Sequence, residues 1–262
     1  MNYIDTIKLP SQEEINRYSA IKNYSLYPWT IFFQNQFEWV ICKDITVFYG
    51  NNGSGKSTLI NLIAEKINAQ RNNELFKDVI FSTFTGEEIH PFDDLVKSIN
   101  IRMAIGDDGE ERLMPAVRKI ITSDSIFKKI GDRALYNEVT VNKIRKARAE
   151  RDEIIRNGQG MLFSSDKYDE FAKLLEARKL SKTQYAKRHT KPKEEMMSNG
   201  ETVLDYYNRA FESGGIYLLD EPENCLSPVF QIELIKLIQD SVKYFDCQFI
   251  ICTHSPFVLG ID

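Results

Sequence analysis

Gly50-Asn51-Asn52-Gly53-Ser54-Gly55-Lys56-Ser57-Thr58 satisfies the pattern G-x-x-x-x-G-K-[ST]. These are the residue types that wrapping a backbone around phosphate requires. Glycines let the chain pass close and point several N–H groups inward. A helix starting near Lys56 adds the positive end of its dipole. In such a loop Asn51, Asn52, Gly53, Ser54 and Gly55 form the cradle. Lys56 reaches the β- and γ-phosphates as a point charge, the Ser57 hydroxyl is placed for Mg2+, and Thr58 can donate near the α-phosphate. The flanks agree. Ile45 to Tyr49 is a short apolar β-type run, and Leu59, Ile60, Leu62, Ile63 and Ile67 fall at helical spacing. The order is strand, tight loop, helix.

Three further stretches extend the reading. Ile216-Tyr217-Leu218-Leu219 runs into Asp220-Glu221. A buried strand of this kind delivers Asp220 to its C-terminal edge, where open α/β sheets bind ligands. There Asp220 can hold Mg2+ through water, and Glu221 can polarise an attacking water as general base. Cys252-Thr253-His254-Ser255-Pro256 follows the apolar run Phe249-Ile250-Ile251, which puts His254 at another strand end, 33 residues after Glu221. A histidine in that place is by itself more often structural. Beside the acid pair it can contact a γ-phosphate or orient the water. Met197-Ser198-Asn199-Gly200-Glu201 offers a hydroxyl and free N–H groups at a helix start, although Ser198 alone reads as an ordinary N-cap.

The composition is globular over 262 residues, with 42% hydrophobic and 27% charged residues, which excludes wholesale disorder. No apolar run is long enough to span a membrane, and Met1 to Pro10 lacks the apolar core of a secretory signal. Cys42, Cys225, Cys247 and Cys252 show no zinc spacing, and Cys247 and Cys252, in or beside an apolar strand-like run, read as reduced core thiols of a cytoplasmic protein. The net charge of −4 hides an asymmetry. Residues 118–193 carry 20 Lys and Arg against 10 Asp and Glu, and the remainder carries 14 against 28. Either long helices there bear solvated charge, or the stretch presents a surface to nucleic acid or an acidic partner.

Along the chain, the polar N-terminus to about Ser25 reads as peripheral. Aromatic and β-branched residues crowd Tyr27 to Phe37, and Val79 to Phe81 begins another strand. From Pro91 to Lys193 helical patterns dominate: an exposed helix over Asn142 to Arg156, one over Lys167 to Leu180, and a basic turn at Lys187 to Lys193. Strands alternating with helices resume after Gly200, so the fold class is α/β with a mainly parallel sheet.

Taken in this order and spacing, the phosphate loop, MSNGE, LLDEPENCLSP and THSP resemble ABC-type ATPases, and more narrowly their soluble, SMC-related branch. The chain also looks like small stand-alone bacterial ATPases of the AAA/ABC type, including ATPase subunits of phage-defence systems. The resemblance implies a P-loop NTPase of the ABC type filling 1–262, with an N-terminal β subdomain. Its nucleotide-binding core would be 27–90 and 194–262, and 91–193 would be a helical insert. It implies ATP and Mg2+ as ligands and a homodimer formed on ATP binding. Lys56, Ser57, Asp220, Glu221 and His254 would act in cis, and Ser198 and Gly200 in trans. The basic insert, 118–193, would meet nucleic acid or an effector protein, as in DNA repair or phage defence.

The chain departs from that pattern in three places. No glutamine stands near Phe81 to Glu88, where the resemblance seeks one beside Mg2+. The adenine-stacking aromatic is open between Tyr24, Tyr27 and Trp29. The chain ends eight residues after His254, where such folds usually add a strand, so a minimal or shortened version is expected. Two other functions fit the loop: an ATP-gated binding module for an effector such as a nuclease, and the ATP-binding subunit of a transporter. MSNGE and the missing glutamine speak against the second. A GTPase would need N-K-x-D, which is absent.

Overall fold

The computed structural model describes residues 2–22, 27–29, 31, 38–72, 75, 77, 80–81, 88–159, 167–190 and 198–261. The chain forms two compact units, Met1–Phe127 with Ser198–Asp262, and Lys128–Met197.

The first unit is built around two strands, Gly215–Asp220 and Gln248–Thr253, that are buried on both faces. β1 spans Ile4–Lys8, β2 Trp39–Ile41, β3 Ile45–Tyr49, β4 Ile80–Phe81, β5 Glu88–Ile89, β6 Asn100–Met103, β7 Val117–Thr122, β8 Gly215–Asp220 and β9 Gln248–Thr253. A parallel sheet has the order β3-β9-β8-β7. Every residue of β8 and β9 is buried, which is why both read as continuous rather than alternating apolar runs. Ile216, Leu218, Ile250 and Cys252 join the core against helix α2, Lys56–Lys66, which buries Leu59, Ile60, Leu62 and Ile63. On the other face Tyr217 stacks on Phe249 at 5.3 Å between centroids, and Phe211 packs against both.

Parallel register then sets the site. Tyr49 pairs with Thr253, Asp220 with Cys252, and Thr122 with Asp220. Four chain exits therefore share one edge, the carboxyl end of the sheet, as the sequence order of strands and helices leads one to expect.

A second, antiparallel sheet of order β2-β1-β6 forms the β subdomain, and β4 pairs with β5. The N-terminus is thus central rather than peripheral. A register shift between Ile4 and Thr6 brings Ile4 and Ile7, three apart, into the core together. The bulge erases the period of two that would have marked a strand. Helices α1, Gln12–Lys22, and α3, Pro91–Ser98, complete this part.

The helical reading of 91–193 is also corrected, because β6 and β7 lie within it. β7 is an edge strand, and its two basic residues are anchored by polar partners beside it. Arg118 Nη1 donates to Pro115 O, and Lys119 Nζ to Ala210 O. Two of the basic residues counted above therefore belong to the core sheet.

After β7 comes one long helix, α4, Ser123–Asn157, which starts well before Asn142. The second unit continues through α5, Tyr168–Lys179, and α6, Lys182–His189. Lys187 to His189 finish α6 instead of forming a turn. Ser181 caps α6 in a capping box with Gln184. The remaining helices are α7, Asn199–Ala210, α8, Pro228–Phe245, and α9, Pro256–Leu259. Phe32, Phe33, Phe37 and Val79, singled out in the sequence, lie outside the described residues.

Gln248 joins the two sheets. Its Oε1 accepts from Tyr3 N and Ile4 N, and its Nε2 donates to Ile4 O and Lys43 O. Gln248→Leu takes the partner from two donors and two acceptors, of which Ile4 N and Ile4 O are buried. Urea unfolding is expected to show a loss of about 3 kcal/mol.

Candidate nucleotide site

The loop between β3 and α2 turns sharply enough to need left-handed backbone at Gly53 (φ 78°) and Gly55 (φ 91°). At Gly55 the space is closed as well, since a Cβ would come within 2.3 Å of Ile31 Cγ2. Lys56 is buried, and its Nζ donates to Gly50 O at 2.7 Å and Asn51 O at 3.0 Å. The ammonium thus lies within the curve of its own loop. Cys252 Sγ donates to Lys56 O at 3.3 Å, tying β9 to the start of α2.

Ser57 Oγ donates to Asp220 Oδ1 at 3.0 Å. Asp220 is only 8% exposed. Burial pushes its pKa up from 3.8 to about 6, the Ser57 hydrogen bond and the Lys56 charge pull it back, and the charges of Glu221 and Glu223 add to the rise.

The chain leaves β8 through Glu221 in left-handed conformation (φ 51°), with Glu221 N donating to Cys252 O. Its carboxylate is held on both oxygens: Oε1 lies 2.9 Å from His254 Nε2, and Oε2 accepts from Asn224 Nδ2 at 2.9 Å.

A cleft of about 970 Å3 is lined by Asn51 to Thr58, Glu221, Asn224, His254, Tyr27 and Ile31. It brings together all the residues read as acting in cis except Asp220, which stands behind Ser57. Ser198 and Gly200 are not among its lining residues. Ser198 caps α7 in a capping box with Glu201. A Cβ on Gly200 would come within 2.3 Å of the Phe230 ring, so packing alone demands glycine there. Met197 lies outside the described residues.

The open aromatic position resolves in part. Trp29 is 4% exposed and donates Nε1–H to Pro91 O, so it is core. Tyr27 is 51% exposed and lines the cleft, its hydroxyl 2.8 Å from Thr58 Oγ1. Tyr24 lies outside the described residues. The stretch searched for a glutamine holds the β4-β5 pair, and 82–87 lie outside the described residues. The strand beside Asp220 is β7, and its last residue Thr122 lines a smaller cleft together with Ser123, Asp124 and Ser125 that follow it, and with Ser57, Asp220 and Glu221. Sequence reading missed these residues because a hydroxyl run before a helix also reads as an ordinary cap. It missed Glu223 as well, whose only signal was a polar residue directly beyond Asp-Glu-Pro, and it took Asn224 only as part of the LLDEPENCLSP stretch that carries the resemblance.

The residues fit a nucleotide with a divalent cation. A cradle that tolerates no Cβ at Gly55, a lysine turned into it, and a hydroxyl paired with a buried carboxylate are hard oxygen and cationic groups suited to phosphate and Mg2+.

Fold and loop together define an α/β P-loop domain. A family model described as ABC transporter matches residues 40–224, and one described as AAA ATPase domain matches 203–259. The chain belongs to the ABC-type P-loop ATPase family. Among solved structures, the SMC head domain from Thermotoga maritima is 13% identical, with 99% of this chain and 92% of that one covered at a TM-score of 0.36. Stu0660 of Streptococcus thermophilus is 11% identical, with 98% and 71% covered at 0.41. No curated protein matches the chain. Among the described residues no helix is long and apolar enough to cross a membrane.

Asp220 makes the nucleotide-free protein sensitive to pH. An acid whose folded pKa is raised contributes stability that is full below its unfolded value and is lost as pH rises through about 6. Asp220→Asn, which keeps an acceptor for Ser57, should therefore stabilise the free protein by about 2 kcal/mol at pH 7.5 and hardly at all near pH 4. Urea unfolding of both proteins at the two pH values measures this.

Proposed function

We propose that this chain binds ATP with Mg2+ in the cleft and hydrolyses it as a homodimer closed by the nucleotide. The cycle would switch contact with nucleic acid or an effector protein, in work of the DNA-repair or phage-defence kind. The convergence of Lys56, the Ser57–Asp220 pair and the Glu221–His254 pair at one sheet edge carries this reading.

Ser57 and Asp220 would hold Mg2+, which supplies positive charge against the phosphate oxygens. Lys56 exchanges the carbonyls of Gly50 and Asn51 for phosphate oxygens. Glu221 accepts the proton of the attacking water as its oxygen bonds to the γ-phosphorus. The bond from that phosphorus to the bridging oxygen breaks, and ADP and phosphate leave. His254 and Asn224 orient the carboxylate, and Tyr27 offers its ring to the base. Ser198 and Gly200 stand outside the cleft, which suits service to the γ-phosphate of a second copy. The free thiols, three of them buried, suit a cytoplasmic protein.

Lys56→Ala is expected to weaken ATP binding at least about tenfold in calorimetry. Glu221→Gln should keep ATP affinity and lower turnover by about 100-fold or more, with a dimer mass in light scattering when ATP is present. Turnover at the normal rate in Glu221→Gln would sink the assignment. A Glu221→Gln protein whose downstream activity stays on would instead identify ATP binding as the signal.

The partner-facing lobe would be the second unit, Lys128–Met197. Lys143, Arg145, Lys146 and Arg148 are exposed on α4 and form no ion pair among the described residues. At about 100° per residue Lys143 with Lys146, and Arg145 with Arg148, form two exposed pairs on different faces of α4, and each pair can contact phosphate. Reversing all four to Glu should weaken binding to a DNA or RNA oligomer by about tenfold or more at low salt and flatten its salt dependence. Salt-insensitive binding, or none, overturns the nucleic-acid part and leaves an effector protein as the partner.

A further inference from the structure

Glu223 takes no part in the chemistry above, yet its side chain is tied to the loop that carries His254. Its Oε1 accepts three hydrogen bonds: from Thr253 Oγ1 at 2.6 Å, His254 N at 2.7 Å and Ser255 N at 3.1 Å. Its Oε2 is buried and has no hydrogen-bond partner among the described residues. Three donors on one oxygen of a carboxylate fix both the direction and the depth of that loop, because hydrogen bonds to an ionised acceptor are short and strong.

The surroundings reinforce the hold. Thr253 is fully buried, and its hydroxyl also accepts from Ser255 N at 2.9 Å. Ser255 Oγ donates to Gln231 Oε1 and accepts from Phe257 N and Val258 N at the start of α9. Gln231 Nε2 donates to Leu226 O. The loops leaving β8 and β9 are therefore joined twice, once by backbone at Glu221 and Cys252 and once through Glu223. Between these joints lies the contact of His254 Nε2 with Glu221 Oε1.

We propose that Glu223 is a positioning residue, whose carboxylate fixes the backbone of Thr253 to Ser255 so that the His254 imidazole stays in register with Glu221. This rests on the reading that Glu221 and His254 serve ATP hydrolysis. The geometry of His254 can nevertheless be followed without nucleotide.

Two measurements test it on the full chain. The first is the 15N spectrum of the His254 ring in nucleotide-free protein, assigned by loss of its signals in His254→Ala. Glu223→Ala should shift those signals, and Glu223→Gln, which keeps an acceptor oxygen, should restore them largely. The second is a kinetic cycle. Glu223→Ala should lower kcat for ATP about 10- to 100-fold with KM changed less than about threefold, and should cost almost nothing further in a His254→Ala background.

An unchanged ring spectrum overturns the proposal. So does an equal fall in kcat in both backgrounds, since that marks a merely structural role. If Glu223→Ala does not fold, Thr253→Val removes one of the three bonds and decides the matter by the same spectrum. A chain that hydrolyses ATP normally as Glu221→Gln removes the functional reading, whereas the ring spectrum still decides whether Glu223 sets the position of His254.

Discussion

A carboxylate at the end of a strand with no water on either face is the constraint around which the first unit is arranged. β8 must be covered by α2 on one side and by the Phe211, Tyr217 and Phe249 layer on the other, with strands along both edges. Asp220 leaves that environment with its ionised form disfavoured. Ser57 can reach it only because α2 begins at the same sheet edge, one residue after a left-handed Gly55. The tight loop, the parallel register and the buried acid are therefore one arrangement. A change in the register of β8 by one residue would turn Asp220 into the core and Leu219 toward the site.

The same edge governs Glu221 and His254. Two loops that leave adjacent strands would be free to part, since neither has secondary structure of its own at this point. They stay together because polar groups of the first loop bond to the end of β9 and the loop beyond it: Glu221 N to Cys252 O, and one oxygen of the Glu223 carboxylate to three donors from Thr253 to Ser255. The His254–Glu221 contact is the product of that stitching.

The second unit rests on a different balance. Its helices bury narrow stripes, with Leu174 and Ala177 on α5 and Tyr185 and Ala186 on α6. Gly158 lets Leu174 approach, since a Cβ there would meet Leu174 Cδ1 at 2.5 Å. Arg151 Nε donates to Leu180 O, and a capping box starts α6.

By itself the sequence determined what depends on neighbours along the chain. The strand, glycine turn and helix around Lys56, the fully apolar strands ending at Asp220 and before His254, and the cap at Ser198 are all set by spacing and residue type. Only the tertiary structure decided what depends on pairing across the chain. It placed β7, with its Arg118 and Lys119, beside β8, and drew Ile4 and Ile7 into the core through a bulge. It also separated Tyr27 at the cleft from Trp29 in the core, and turned Glu223 onto the loop of β9. The physical reason is the same in each case. Burial and hydrogen-bond partners at these positions come from residues far away in the sequence, and local pattern carries no record of them.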